Sequence, residues 1–401
     1  MASLPPPDSG PLQLVYISVR PELIVRSFAS FIAHYRADRA VVLTADNRKR
    51  EMEAVFSGLG CEVAVLTDSE VLPGHGDIPE HAERNCRLRA ALFLRDEVED
   101  FFLALDDDCI LLRPLPADHF VANGHMVARY SHPSLSRWKA GSFDEPTSFD
   151  RQQWNTGELL AAAGLPERCY AAHQAQILEK ARVNAIYAEF LPQIFGPVDE
   201  WALYFNVACA REPDKFIQQT ATTLFWPESF DSWLPDWFDD DVHFENHYPW
   251  LYEPDGALAQ AGIASDSDWR IKRGWVAARY AAHHAQRLLN ELSNGVYPSI
   301  RLDPGGPAIT SQTGQLFGFP GMILKVAVEC DGRQPLAHSV LTGDRPVAGS
   351  LSPEQCVGPR HDLAIRLPEE VGEYTVVFKW QTAAKPAFLA LPLFVLPYPR
   401  L

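Results

Sequence analysis

The feature that most restricts this chain is an alternation in its first third. Short, largely apolar runs at residues 12–19, 40–44, 62–67 and 100–105 are separated by stretches with helical spacing. Residues 22–35 carry Leu23, Ile24, Phe28, Phe31 and Ile32 at that spacing. Residues 48–59 read as a helix ended by Gly60, and 81–95 as a longer one. Strands alternating with helices predict a Rossmann-like α/β fold, a mostly parallel sheet with flanking helices. Runs that are apolar on both faces agree, because such a sheet is covered on both sides. Open sheets of this kind bind ligands beyond the carboxyl ends of their strands.

Residues 116–300 are less regular, with a strand expected at 125–130 and helices at 156–163, 173–185, 200–209 and 275–292. Asn294-Gly295, Pro298 and Pro304-Gly305-Gly306-Pro307 mark residues 293–313 as turns and linker. Beyond them, strand-like runs at 322–329, 336–342, 361–367, 374–380 and 388–395 predict a small C-terminal β-sandwich. The expected division is a first domain over 1–300 and a second over 301–401.

Thirty-five basic against 52 acidic residues give a formal net charge of −17, which repels phosphate backbones and argues against a nucleic-acid partner. No run approaches the ~18–20 apolar residues of a membrane helix, so no transmembrane segment is expected, and peripheral membrane association stays open. The start of the chain lacks the charged and apolar regions of a secretory signal. Seven scattered cysteines form no CxxC pair. The expectation is a cytoplasmic protein with reduced thiols.

The run at 101–105 feeds directly into Asp106-Asp107-Asp108, followed by a second apolar run and Arg113-Pro114-Leu115. Three adjacent like charges repel unless a cation sits among them. Mn²⁺ or Mg²⁺ is commonly held by one or two carboxylates plus a substrate's phosphates. It neutralises charge building on a departing diphosphate. Asp106 and Asp108 form a D-x-D pair suited to that task, with a solvated turn as the plainer alternative.

The segment 101–115, FFLALDDDCILLRPL, resembles the D-x-D region of GT-A glycosyltransferases, and the resemblance extends loosely over the first 250 residues or so. Residues 170–180 and 197–206 are similar to a pattern of bacterial polysaccharide-type transferases, with Ala175 where that pattern usually has proline. The resemblance implies a GT-A fold and a nucleotide-sugar donor, with a glycan or lipid-linked acceptor in polysaccharide biosynthesis. It implies Asp106 and Asp108 as metal ligands, with Asp106 and Asp107 also facing the donor. Arg20, Thr44 and Asp46, after the first two strands, are placed near the nucleotide, although Asp46 equally suits a turn. Arg84 and Arg87, with Arg89 on the same helix, are placed near the diphosphate, or else on a solvated helix face. Asp199 and Glu200 are candidates for a general base, and Glu200 equally suits a helix start. His247, ahead of His243, is the candidate third metal ligand. His173 reads as an acceptor-side or a structural histidine. Trp226, Trp233, Trp237 and Trp250 are placed for sugar stacking or packing, and Asp239–Asp241 is a weaker second acidic triplet. The expected function is metal-dependent sugar transfer. The alternatives are a sugar-phosphate transferase or nucleotidyltransferase, and a non-catalytic carbohydrate-binding protein.

Overall fold

The computed structural model describes residues 10–78, 80–132, 134–138, 146–190, 192, 196–224, 242–295, 299–303, 306–309, 316–330, 337–342, 345–346, 360–381 and 386–397. Trp226, Trp233, Trp237 and the triplet Asp239–Asp241 lie outside them. The chain forms two compact units.

The first unit is the α/β domain that the alternation predicts. β1 (Gln13–Ile17) leads into α1 (Pro21–Tyr35), β2 (Arg39–Thr44), α2 (Lys49–Phe56), β3 (Glu62–Thr67), the single turn α3 (Asp68–Val71) and α4 (His81–Leu92). β4 (Phe101–Asp106) follows, then β5 (Cys109–Leu111), β6 (Val121–Ala122), β7 (His125–Tyr130) and α5 (Ser148–Ala162). β8 (Gln176–Glu179), α6 (Lys180–Phe190), α7 (Glu200–Arg211), β9 (Phe216–Thr220), β10 (Thr223–Leu224), β11 (Phe244–Asn246) and the short α8 (Ala257–Gln260) complete it. The central sheet runs β3-β2-β1-β4-β8, parallel except at its β8 edge.

Local chemistry explains the elements that carry the site. α1 starts on Pro21, whose fixed φ suits a first helical position, with Glu22 in its first turn. Its buried face presents Leu23, Ile24, Phe28 and Phe31, each contributing about 1.5–3 kcal/mol on burial. It ends at Arg36 in the left-handed conformation, φ 60°. β1 and β4 are buried along almost their whole length, as strands covered on both faces must be. One expectation fails: residues 173–185 are not a single helix. Gln176–Glu179 pairs antiparallel with β4 before α6 begins, so sheet completion overrides the helical pattern there.

In the second unit a helix, α9 (Trp269–Ser293), precedes β12 (Ser299–Asp303), β13 (Gly306–Ile309), β14 (Leu316–Gly318), β15 (Ile323–Cys330), β16 (Ala337–Thr342), β17 (Arg345–Pro346), β18 (Arg360–Arg366), β19 (Gly372–Gln381) and β20 (Pro386–Val395). Two sheets, β13-β12-β15-β18 and β14-β20-β19-β16-β17, share one apolar core. Leu324, Val326 and Ile365 enter it from the first sheet, and Leu316, Val376 and Leu393 from the second. The units part at Ser265–Asp266, so α9 groups with the strands rather than with residues 1–265. The turn-rich stretch read as linker contains the β12–β13 hairpin, with Asp303 opposite Gly306.

Candidate active site

The sheet order places a reversal beside β1. β2 and β3 lie on one side of it, and β4 on the other. Such a switch point opens a crevice at the carboxyl ends of the strands, which is where α/β sheets take ligands. Ile17 lies opposite Asp106 in the register, so the loop after β1 and the acidic turn after β4 meet there.

The three aspartates have different partners. Asp107 is buried and locked: Ser18 Oγ donates to its Oδ2 at 2.5 Å, and Arg20 Nε to the same oxygen at 3.0 Å. Arg20 Nη2 adds a contact to Oδ1, making the guanidinium bidentate. Asp106 accepts from Arg89 Nη2 at 2.9 Å and is 37% exposed. Asp108 is 17% exposed, and its Oδ1 is buried without a hydrogen-bond partner. Burial, then the neighbouring Asp106 and Asp107, push Asp108 up to about 7, against the pull of Arg20. An orphaned carboxylate oxygen beside two like charges is costly unless a proton or a metal cation joins it.

His173 supplies the third donor. One ligand atom from each of Asp106, Asp108 and His173 lies within 4.8 Å of the other two. The residue sits at φ 42°, a conformation rare outside glycine, which marks a constrained position. Burial lowers its pKa, with Asp106 opposing, and so favours the neutral imidazole that can ligate a metal. Two carboxylates and one imidazole suit Mn²⁺, Mg²⁺ or a similar divalent ion.

His247 is not one of these three residues. Its backbone N–H donates to Asp108 O at 2.7 Å, extending the β5–β11 ladder to the acidic turn. Its ring lies against Tyr252, centroids 5.0 Å apart, with Nδ1 3.1 Å from Glu245 Oε1. His243 is buried beside His119 with ring centroids 5.3 Å apart. Trp250 is half exposed and stacks on Tyr248.

Of the basic residues on α4, Arg89 is the one that reaches the acids. It is buried, its Nε lies 2.6 Å from Glu200 Oε1, and its guanidinium stacks over Trp201 at 4.9 Å. Arg87 pairs instead with Glu83 at 2.9 Å, and Arg84 Nη2 lies 3.0 Å from His81. The sequence did hold a signal for Arg89: it falls in step with buried Cys86 and Leu92, on the inward face.

Asp199 caps α7, with Oδ1 accepting from Ala202 N at 2.6 Å and Oδ2 from Gln153 Nε2 at 2.7 Å. Burial and then Glu200 push it up to about 7. Burial also raises Glu200, against the pull of Arg89. At the end of β2, Thr44 Oγ1 is buried without a hydrogen-bond partner. Asp46 ties the turn after β2 to α3 by accepting from Ser69 Oγ at 2.6 Å and Ser69 N at 3.2 Å.

No family model and no curated protein matches the sequence. Solved structures similar to parts of it include the galactosyltransferase LgtC in complex with donor and acceptor sugar analogues. That match has 14% identity over 52% of this chain and 73% of that one, with a TM-score of 0.31. The 4-diphosphocytidyl-2C-methyl-D-erythritol synthase of Anaerococcus prevotii matches at 9% identity over 53% and 90%, TM-score 0.30. The glycosyltransferase GlyE of Streptococcus pneumoniae matches at 12% over 52% and 45%, TM-score 0.25. Similarity at this level decides nothing about this chain, and function has to be read from the site.

Proposed function

We propose that the chain is a divalent-metal-dependent glycosyltransferase that uses a nucleotide-diphosphate sugar. The observation that carries the reading is the convergence of Asp106, Asp108 and His173 at the switch point of a parallel sheet, with Asp108 Oδ1 unpartnered. These residues would hold Mn²⁺ or Mg²⁺, which when bound neutralises charge on a diphosphate leaving group. Arg20 and Arg89 face three aspartates, and Arg89 is shared with Glu200, so the cluster stays net negative without a cation.

The chain's own residues have separable tasks. Asp107 holds Arg20 at the mouth of the crevice, where half of its side chain stays exposed to meet a phosphate. Thr44, whose hydroxyl is buried at the end of β2, would act beneath the nucleotide rather than touch it. Asp46 holds the turn after β2 to α3, and both would line the nucleotide site. Arg84 and Arg87 are occupied elsewhere, so the diphosphate role falls to Arg20 and Arg89. Of the paired acids, Asp199 has both oxygens committed to capping and Gln153, which leaves Glu200 for chemistry. Burial makes it more basic than an ordinary glutamate, as a proton acceptor near neutral pH requires. In the transfer, the bond from the anomeric carbon to the phosphate oxygen breaks, one to an acceptor oxygen forms, and Glu200 takes the acceptor's proton. The acceptor is a glycan or a lipid-linked sugar, and the setting is polysaccharide synthesis in the cytoplasm. No described helix is long and apolar enough to cross a membrane.

Calorimetry with UDP and GDP, with and without Mn²⁺, tests the reading, followed by product analysis with UDP- and GDP-sugars. Metal-dependent nucleotide binding and release of a nucleoside diphosphate support it. Turnover untouched by EDTA, or full activity in Asp108→Ala, overturns the metal role. Release of a nucleoside monophosphate would place the attack at phosphorus instead.

A further inference from the structure

A cavity of about 130 Å³ opens in the first unit beside α5, and no residue of the acidic turn lines it. Trp138 and Trp154 supply aromatic walls, Leu135 and Gly157 an apolar floor, and Glu158 and Glu167 two carboxylates. Neither carboxylate is engaged in an ion pair among the described residues. Two unpaired carboxylates beside two indoles make the lining acidic and aromatic at once, which suits a cation.

The lining selects its ligand by what it lacks. A sugar needs donors as well as acceptors around it. Here the described side chains offer chiefly acceptors and aromatic surface: the Trp138 indole N–H is already given to Asp150 Oδ1 at 3.1 Å, which leaves the Trp154 indole N–H as the one side-chain donor. A hard metal ion needs several oxygen ligands, which two indoles and a leucine cannot supply. An organic cation fits both deficits, because indole faces and carboxylates attract it without donating. The size agrees: a cavity of roughly 150 Å³ holds benzene, and a trimethylammonium head is of similar bulk.

Gly157 points the same way. A glycine inside a helix costs about 1 kcal/mol relative to alanine. A Cβ built there would meet only Leu135 Cβ at 3.5 Å and Glu167 Oε2 at 3.9 Å, which is ordinary contact. Packing therefore does not require the glycine, and a methyl group there would take up room in the cavity that Gly157 lines.

We propose that the Trp138–Trp154–Glu158–Glu167 cavity is a binding site for a trimethylammonium group. It is independent of the transfer chemistry and stands whether or not that reading does. The test is calorimetry on the full chain with choline and with its uncharged tert-butyl isostere. Choline is expected to bind at least about tenfold more tightly than the isostere, a gap of ~1.4 kcal/mol, and to lose that advantage in Glu158→Gln/Glu167→Gln. Both glutamates are accessible, so this variant keeps the fold. Gly157→Ala separates binding from structure: it should raise the melting temperature while weakening choline. Phosphatidylcholine vesicles form a second arm. Saturation by free choline alone identifies a soluble ligand, and vesicle binding that choline displaces identifies a lipid headgroup. Equal affinity for the isostere, no binding of either probe, or binding indifferent to these substitutions overturns the proposal.

Discussion

Replacing Arg89 by methionine tests how the site is held together. The methionine keeps much of the side chain's bulk and removes its charge. Two carboxylates then lose their partner, but not equally. Asp106 is 37% exposed and can regain water, whereas Glu200 is 11% exposed and cannot. The cost is therefore dominated by Glu200. Removing one partner of a buried pair costs about 3–5 kcal/mol, and the partial rehydration of Asp106 places the expectation near the lower end. Loss of stacking over Trp201 is part of that figure. The assay is urea unfolding of the full chain followed by tryptophan fluorescence. Adding Glu200→Gln should recover about 2 kcal/mol, because the stranded charge is gone. The pH dependence has a definite sign. Burial raises Glu200 in the folded chain, so its ionised form opposes folding above its unfolded pKa of about 4.3. That penalty fades as pH falls toward the unfolded value, so the deficit of Arg89→Met should be smaller at pH 5 than at pH 8. A loss under about 1 kcal/mol, strict additivity in the double variant, or a deficit that grows in acid would refute the reasoning.

Two of the three neighbouring aspartates should separate by assay. Asp107→Asn, which weakens the grip on Ser18 and Arg20, should cost about 1–2 kcal/mol of stability and leave Mn²⁺ affinity, read by electron paramagnetic resonance, nearly intact. Asp108→Asn should do the reverse, cutting Mn²⁺ affinity by about tenfold or more with stability held or raised. A buried histidine predicts acid sensitivity. Burial, then Arg129 and His243, hold His119 far below its ordinary pKa, so only the unfolded chain takes the proton below about pH 6.5. Stability should thus fall through this group by up to about 1.4 kcal/mol per pH unit below that point. His119→Gln should flatten the unfolding profile between pH 7 and 5, and an unchanged slope would show that His119 does not contribute.

The α/β sheet was legible because it is written locally: β1, β2, β3 and β4 are continuous apolar runs, and nothing else in the first third competes with them. The acidic turn was legible because a strand end and three aspartates are adjacent in sequence. β8 was harder, since Gln176-Ile177-Leu178-Glu179 suits a helix until β4 offers its edge. The third residue of the candidate metal group was harder still. Both His173 and His247 come from segments remote in sequence, and only the sheet pairing decides which ring reaches the acids and which is turned toward Glu245. Arg89 carries a readable signal of its own: Arg84 and Arg87, three apart, share one helix face, whereas Arg89 keeps step with the inward residues Cys86 and Leu92.

The acidic turn is braced from far downstream, through β11 and the His247 N–H to Asp108 O. A nascent chain emerging from the ribosome can therefore assemble β1 to β4 well before Asp108 is seated. The crevice reaches its final shape only when the segment ending at His247 has been synthesised and has docked. Until then the sheet has an unfinished mouth, and a chain ending before His247 would lack the brace that seats Asp108.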